Sequence, residues 1–324
     1  MSLLSSIDVG SNTIRLLIGE IKDNRLIDVF SERKITRLGN GILETKRLQD
    51  RNIDASIAVL REFSSLIAKH GVTYAKAVAT SALREADNSD VFMRKVFDDT
   101  GISIQVISGE KEAGLILKGI LLSLPDSLYN AHRSLLIVDI GGGSTEWILY
   151  KDRRPINIVS IPIGVIKLAG NFIKSDPVSE DDIAALNNEI VSCLDILNIG
   201  LGQQIEKDTR FIGTAGTFTT IASVDMGLET YSREKIHLHV VSLDRLRGMS
   251  KKLLRLPMYE REKVRGLEPE RADLIIPGIQ FTIKVMDFFK FNELTISDYG
   301  LLEGVLLELS EEMNEKNISE TCES

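Results

Sequence analysis

Two short stretches, one near the start of the chain and one near its middle, constrain the fold more than anything else in the sequence. Residues 6–18 read Ser-Ile-Asp-Val-Gly-Ser-Asn-Thr-Ile-Arg-Leu-Leu-Ile: an apolar strand ends in an acid, a glycine and a small polar turn before a second apolar strand begins. Residues 135–150, LLIVDIGGGSTEWILY, follow the same plan. Asp8 and Asp139 are 131 positions apart (139 − 8), and so are Gly10 and Gly141, Thr13 and Ser144, and Arg15 and Glu146. Lys22-Asp23-Asn24-Arg25 and Lys151-Asp152-Arg153-Arg154 then turn each copy into a third strand. A repeat this long is not a solenoid unit, so the duplication predicts two similar domains facing each other across a cleft.

Taken alone, either loop also reads as a glycine-rich hairpin with a solvated acid. Glycines allow the tight turn and leave backbone N–H groups open to an anion, and an acid at the strand end can reach a metal ion. Two such loops at equivalent points predict a shared phosphate and metal site, with Asp8 and Asp139 as its acids. Ser11 and Asn12 on one loop and Gly141, Gly142, Gly143 and Ser144 on the other are the expected phosphate-binding residues.

The 324 residues are 43% hydrophobic and 27% charged, which fits a soluble globular protein of two ordinary domains. A formal net charge of −8 argues against non-specific nucleic-acid binding and against an anionic membrane surface as main partner. It leaves room for an anionic substrate in a local basic cleft. Cys193 and Cys322 are far apart and have no CxxC partner, so neither a disulfide framework nor a zinc site is expected. With no signal-peptide pattern and no apolar run of membrane-spanning length, a cytoplasmic protein is expected. The sequence is silent on oligomeric state and admits a homodimer.

Hydrophobic periodicity predicts three strands in a row, then alternating helix and strand, giving α/β domains with mixed sheets. Domain I is expected over 1–125 and domain II over 126–298, with a polar bridge containing Pro125, Asp126, Asn130 and His132 between them. A C-terminal helix returns over 299–324, with Gly304 allowing close helix packing and the tail from Asn314 frayed. A helix is expected from Glu270 to Phe289, kinked at Pro277-Gly278.

Further candidates lie at strand ends. Glu110 and Glu112 open a helix after Ser108, where acids are favoured by the helix dipole; either could equally orient and deprotonate a water aimed at phosphorus. Arg84 follows Thr80-Ser81 and reads either as a surface arginine or as part of the site. Gly213-Thr214-Ala215-Gly216-Thr217 leads a strand into a helix and offers amides to phosphate through Gly213, Thr214 and Gly216, or else is ordinary close packing. Arg271 opens a helix against the dipole, which suggests another charge holding it. His237 and His239 share a face of a possible strand but lack a third soft ligand and are read as structural.

On Asp8-Val9-Gly10-Ser11-Asn12, Ser108-Gly109-Glu110-Lys111-Glu112-Ala113, Asp139-Ile140-Gly141-Gly142-Gly143-Ser144-Thr145-Glu146, Gly213-Thr214-Ala215-Gly216-Thr217 and Ser297-Asp298-Tyr299-Gly300, the chain resembles the exopolyphosphatase and guanosine pentaphosphate phosphohydrolase family over nearly its whole length. The resemblance implies two ribonuclease H-like domains of the sugar-kinase, actin and heat-shock ATPase superfamily. It implies Glu112 as general base, Asp139 and Glu146 as the acids that hold Mg²⁺ or position water, and Arg15, Arg84 and Arg271 as phosphate clamps. Long members carry an extra C-terminal helical domain of the HD type; the sequence ends without a His-Asp pair, so processive handling of long polyphosphate is not expected. The activity implied is Mg²⁺-dependent hydrolysis of the terminal phosphate of inorganic polyphosphate. Alternatives are removal of the 5′ phosphate of guanosine pentaphosphate, or both activities, then phosphotransfer to a nucleotide, then a non-catalytic sensor of polyphosphate or an alarmone.

Overall fold

The computed structural model describes residues 3–23, 25–125, 128 and 134–322, with side chains through residue 315. Asn24, His132 with most of the expected polar bridge, and the side chain of Cys322 lie outside the described residues. The chain divides into two compact units: Met1–Leu124 with Tyr299–Ser324, and Pro125–Asp298.

In the first unit, β1 (Leu4–Val9), β2 (Thr13–Lys22) and β3 (Arg25–Ile35) form an antiparallel meander. After α1 (Ile42–Thr45) and α2 (Asp50–Lys69), β4 (Tyr74–Ala79) pairs parallel to β1. The chain continues through α3 (Ser81–Glu85), α4 (Ser89–Thr100), β5 (Ile104–Val106) and α5 (Gly109–Ser123), giving the sheet order β3-β2-β1-β4-β5. A parallel neighbour requires a crossover, and the amphipathic α2 supplies it by burying Ile53, Leu60 and Phe63 against Ile7, Val9, Ile14 and Leu16.

The second unit repeats the plan with β6 (Ser134–Ile140), β7 (Thr145–Lys151), β8 (Arg154–Ile161), β9 (Arg210–Thr214), β10 (Val240–Ser242) and β11 (Glu293–Ile296), in the order β10-β11-β9-β6-β7-β8. The duplication reaches fine detail. The β2–β3 register shifts between Ile18 and Gly19, and the β7–β8 register shifts between Leu149 and Tyr150, again 131 positions on. Helices α6 (Val165–Phe172), α7 (Glu180–Gly200), α8 (Ala215–Met226), α9 (Arg233–Ile236), α10 (Leu243–Leu253), α11 (Met258–Arg261) and α12 (Ile275–Phe289) complete the unit. Its core gathers Leu136, Val138, Trp147, Phe211, Phe218 and Phe281.

Two expectations are corrected in this unit. The expected helix from Glu270 is a 3₁₀ turn at Pro269–Arg271 followed by α12 from Ile275, so Pro277 falls in the first turn of α12. There its missing N–H has no intrahelical role, and no kink is required. His237 and His239 lie in a turn rather than on a strand, because Leu238 takes φ +64° between them.

The last helix, α13 (Leu301–Cys322), packs on β1, β2 and α5 of the first unit through Leu302, Leu306 and Leu309 against Leu4 and Leu17. Gly304 permits this approach: a Cβ there would stand 1.8 Å from the Leu115 carbonyl oxygen, and one on Gly119 would stand 1.9 Å from the Gly300 oxygen. The helix runs on past Met313 through residues expected to fray, among them the good helix former Glu315. Among the described residues no helix is long and apolar enough to cross a membrane.

Candidate active site

In the first unit the candidate residues gather at the carboxyl ends of the parallel strands β1, β4 and β5, the edge where α/β sheets hold ligands. Asp8 is buried near the end of β1 and faces Arg15 across the β1–β2 ladder. Arg15 donates Nε at 3.0 Å and Nη2 at 2.7 Å, both to Asp8 Oδ2. Asp8 Oδ1 is buried with no hydrogen-bond partner among the described residues. A buried, unpaired carboxylate oxygen is costly unless a cation meets it, and a hard oxygen donor of this kind suits Mg²⁺.

The turn after Asp8 is closed by the Gly10 N–H on the Thr13 carbonyl at 3.0 Å. It is held from outside by residues 36–39: the Thr36 and Arg37 amides both donate to the Asn12 carbonyl at 3.0 Å, and Gly39 donates to the Ser11 carbonyl at 2.7 Å. Ser11 and Asn12 are therefore fixed and largely buried.

Burial separates the two glutamates that the sequence left equivalent. Glu110 is exposed, whereas Glu112 is buried in the first turn of α5. Ser108 caps that turn by accepting the Lys111 N–H at 3.1 Å. The Arg84 Nη1 at the end of α3 donates to Glu112 Oε2 at 2.7 Å and to the Ile107 carbonyl at 2.9 Å. Arg84 thus ties the fourth-strand loop, the end of β5 and the carboxylate together. A charge-assisted bond to a buried carboxylate fixes its rotamer, which a general base requires.

The second unit converges similarly. Asp139 pairs in register with Glu146 on β7 and with Thr214 on β9, so the acids and the Thr214 turn are neighbours. The Gly141 N–H closes its loop on the Ser144 carbonyl at 3.0 Å, the same bond that Gly10 makes with Thr13. Ser160 Oγ donates to Glu146 Oε1 at 2.8 Å. Beyond β9, Thr214 is extended, and Ala215 takes φ +70° at the start of α8, a conformation that costs a non-glycine residue. Thr217 Oγ1 anchors the turn to the Ile140 carbonyl at 3.0 Å, and Gly213 leaves space that Phe218 fills. Arg271 lies over Gly216, where a Cβ would come within 2.2 Å of its Nη1. Its Nε donates to Glu268 Oε2 at 2.8 Å; Arg271 ends the 3₁₀ turn and opens no helix, so the dipole argument for a partner charge does not apply to it.

His239 bonds Asp225 at 2.8 Å, and His237 Nδ1 accepts the Asp298 N–H at 3.4 Å, so both serve packing of the second unit. No group of three or more His, Cys, Asp or Glu side chains stands ready for a metal among the described residues. Sequence reasoning missed residues 160–167, which wrap the glycine loop, because their role is visible only through contacts.

A model described as the Ppx/GppA phosphatase family matches residues 17–313. The chain is 28% identical to exopolyphosphatase 2 of Mycobacterium tuberculosis, with 96% of this chain and 99% of that protein covered. It is 30% identical to a bifunctional 3-dehydroquinate synthase/phosphatase of Fusobacterium nucleatum over 94% of this chain; there it spans about half of the relative, 46%. The crystal structure of the Aquifex aeolicus Ppx/GppA family member is 32% identical and superposes with a TM-score of 0.78, covering 98% of this chain and 99% of that one.

Proposed function

The chain belongs to the Ppx/GppA phosphatase family, and from that premise we propose that it is an exopolyphosphatase that hydrolyses the terminal phosphate of inorganic polyphosphate. The observation that carries this reading is the buried Glu112 carboxylate, oriented by Arg84 at the head of α5. A sensor of polyanions needs arginines and amides but has no use for a carboxylate buried and fixed at this cost.

In the proposed reaction Glu112 takes the proton of a water that attacks the terminal phosphorus in line with the leaving oxygen. In the first unit Arg15 and Arg84, with the fixed loop at Ser11-Asn12, are offered to phosphate charge; in the second unit Arg271 and the fixed loops at Gly141 to Ser144 and Gly213 to Gly216 are offered to it. Asp8, Asp139 and Glu146 are the carboxylates offered to Mg²⁺, which when bound supplies charge neutralisation at phosphoryl oxygens.

Phosphate release by the purified protein with Mg²⁺ from long polyphosphate, short polyphosphate and guanosine pentaphosphate tests the substrate. Release dominated by polyphosphate supports the proposal, and release confined to the nucleotide would replace it with a pentaphosphate phosphohydrolase.

A further inference from the structure

The register of β8 decides which side chain stands opposite Glu146. Lys151 pairs with Arg154 and Tyr150 with Pro155, but the pairing shifts between Leu149 and Tyr150, so that Leu149 meets Asn157 and Glu146 meets Ser160. Continued one for one from Tyr150 and Pro155, the ladder would set Val159 opposite Glu146 and turn Ser160 to the other face, because side chains alternate along a strand. Bulges of this kind re-aim side chains beside active sites, and the first unit carries the matching shift at Ile18.

The shift completes a polar row across four strands: Thr214 on β9, Asp139 on β6, Glu146 on β7 and Ser160 on β8 are successive partners in register. Ser160 Oγ donates to Glu146 Oε1 at 2.8 Å, and Glu146 is buried. The hydroxyl is also held from its far side, where residues 160–167 form a collar around the glycine loop. The Ile163 carbonyl accepts the Thr145 hydroxyl at 2.5 Å, and the Val165 and Ile166 amides donate to the Gly141 and Gly142 carbonyls at 3.0 and 2.9 Å. Gly164 lies so close that a Cβ would fall 2.4 Å from Gly142 backbone atoms. Ser160 is thus fixed by the ladder before it and by the collar after it. The first unit holds an acid in a similar way: Arg15, the in-register neighbour of Asp8, takes Asp8 Oδ2. A carboxylate with one oxygen fixed by a neighbouring strand is an oriented donor for a hard cation.

Resting on the reading of Glu146 as a carboxylate offered to Mg²⁺, we propose that Ser160 is a positioning residue: its hydroxyl, brought opposite Glu146 by the bulge in β8, fixes the rotation of the carboxylate that a divalent cation meets. The sequence hides it, since a serine in a strand has no signal of its own and only the shifted register pairs it with an acid.

The test follows binding of Mn²⁺, a hard octahedral stand-in for Mg²⁺, to the substrate-free protein by the electron paramagnetic resonance of the free ion. Wild type, Ser160→Ala and Ser160→Thr are compared. Loss of the hydroxyl should weaken Mn²⁺ binding about 10- to 100-fold in the Ala variant and raise the half-saturating Mg²⁺ for phosphate release by a similar factor, with KM for tripolyphosphate at saturating Mg²⁺ and Tm close to wild type. Thr keeps the hydroxyl and suits a strand, so it should stay within about threefold of wild type. In a Glu146→Ala background, Ser160→Ala should add no further loss. An unchanged Mn²⁺ affinity in Ser160→Ala would overturn the proposal, as would a Thr variant as weak as Ala or a further loss in the Glu146→Ala background. A wild type that binds Mn²⁺ but releases phosphate from no polyphosphate would overturn the substrate reading alone; a wild type that binds no Mn²⁺ would overturn the metal reading and this proposal with it.

Discussion

Gly304→Ala perturbs the contact on which α5 and α13 depend. The added Cβ would stand 1.8 Å from the Leu115 oxygen and 2.6 Å from its carbonyl carbon, and both atoms are backbone, so no side chain can swing away. Restoring a separation of 3.0 Å, the shortest that real Cβ atoms tolerate, requires the helices to part by about 1.2 Å. Overpacking of this kind costs about 3 kcal/mol, at the upper end of the usual range because the obstacle is rigid. Alanine's helix propensity returns up to about 1 kcal/mol, leaving a net loss of about 2 kcal/mol. Thermal unfolding followed by circular dichroism should show Tm lowered by about 4–8 °C. Because α5 carries Glu112, a shift of this size should also lower kcat by about 100-fold. A Tm equal to or above wild type would refute the reasoning, for it would mean that propensity alone governs the site.

Other perturbations probe the same framework. Gly216→Ala places a Cβ against the Arg271 guanidinium, whose flexible end can move. The expected result is a Tm within about 2 °C of wild type with kcat/KM lowered about tenfold or more; full activity would remove Arg271 from the substrate set. Arg84→Ala removes the 2.7 Å charge-assisted bond to the buried Glu112, and unfolding free energy measured in urea should fall by about 2 kcal/mol. For Glu308, burial pushes the carboxyl up, but bonds from Lys111 and Lys76 outweigh it and hold it below its ordinary 4.5. A depressed value contributes stability above pH 4.5 that is lost as pH falls through the folded value. Urea titrations across this acid range should therefore show a steeper pH dependence for the wild type than for Glu308→Gln, and equal slopes would remove the ion pair from the account.

The α/β class was legible because it rests on local periodicity and on the duplication, which survives even to the paired register shifts at Ile18 and Leu149. The Gly10 and Gly141 turns were legible because glycine, small residues and a strand-end acid have few other uses. What was not legible depends on distant partners. Glu110 and Glu112 differ only in what covers them, and no local pattern shows that Arg84, 28 residues earlier, reaches one of them. The positive φ at Ala215 is imposed by the anchoring of the turn rather than by an alanine, and the collar at 160–167 announces itself only through bonds to the loop it wraps. Pro277 misled because a proline in a helical pattern signals a kink or a first turn, and only the break after Arg271 decides which.

The central claim is that Glu112 activates the attacking water. Phosphate release from tripolyphosphate under single-turnover conditions, with substrate binding measured in parallel, tests it in Glu112→Gln. The expected result is a rate lowered by about 100- to 10,000-fold with affinity and Tm close to wild type. A Gln variant that releases phosphate at the wild-type rate would contradict the account.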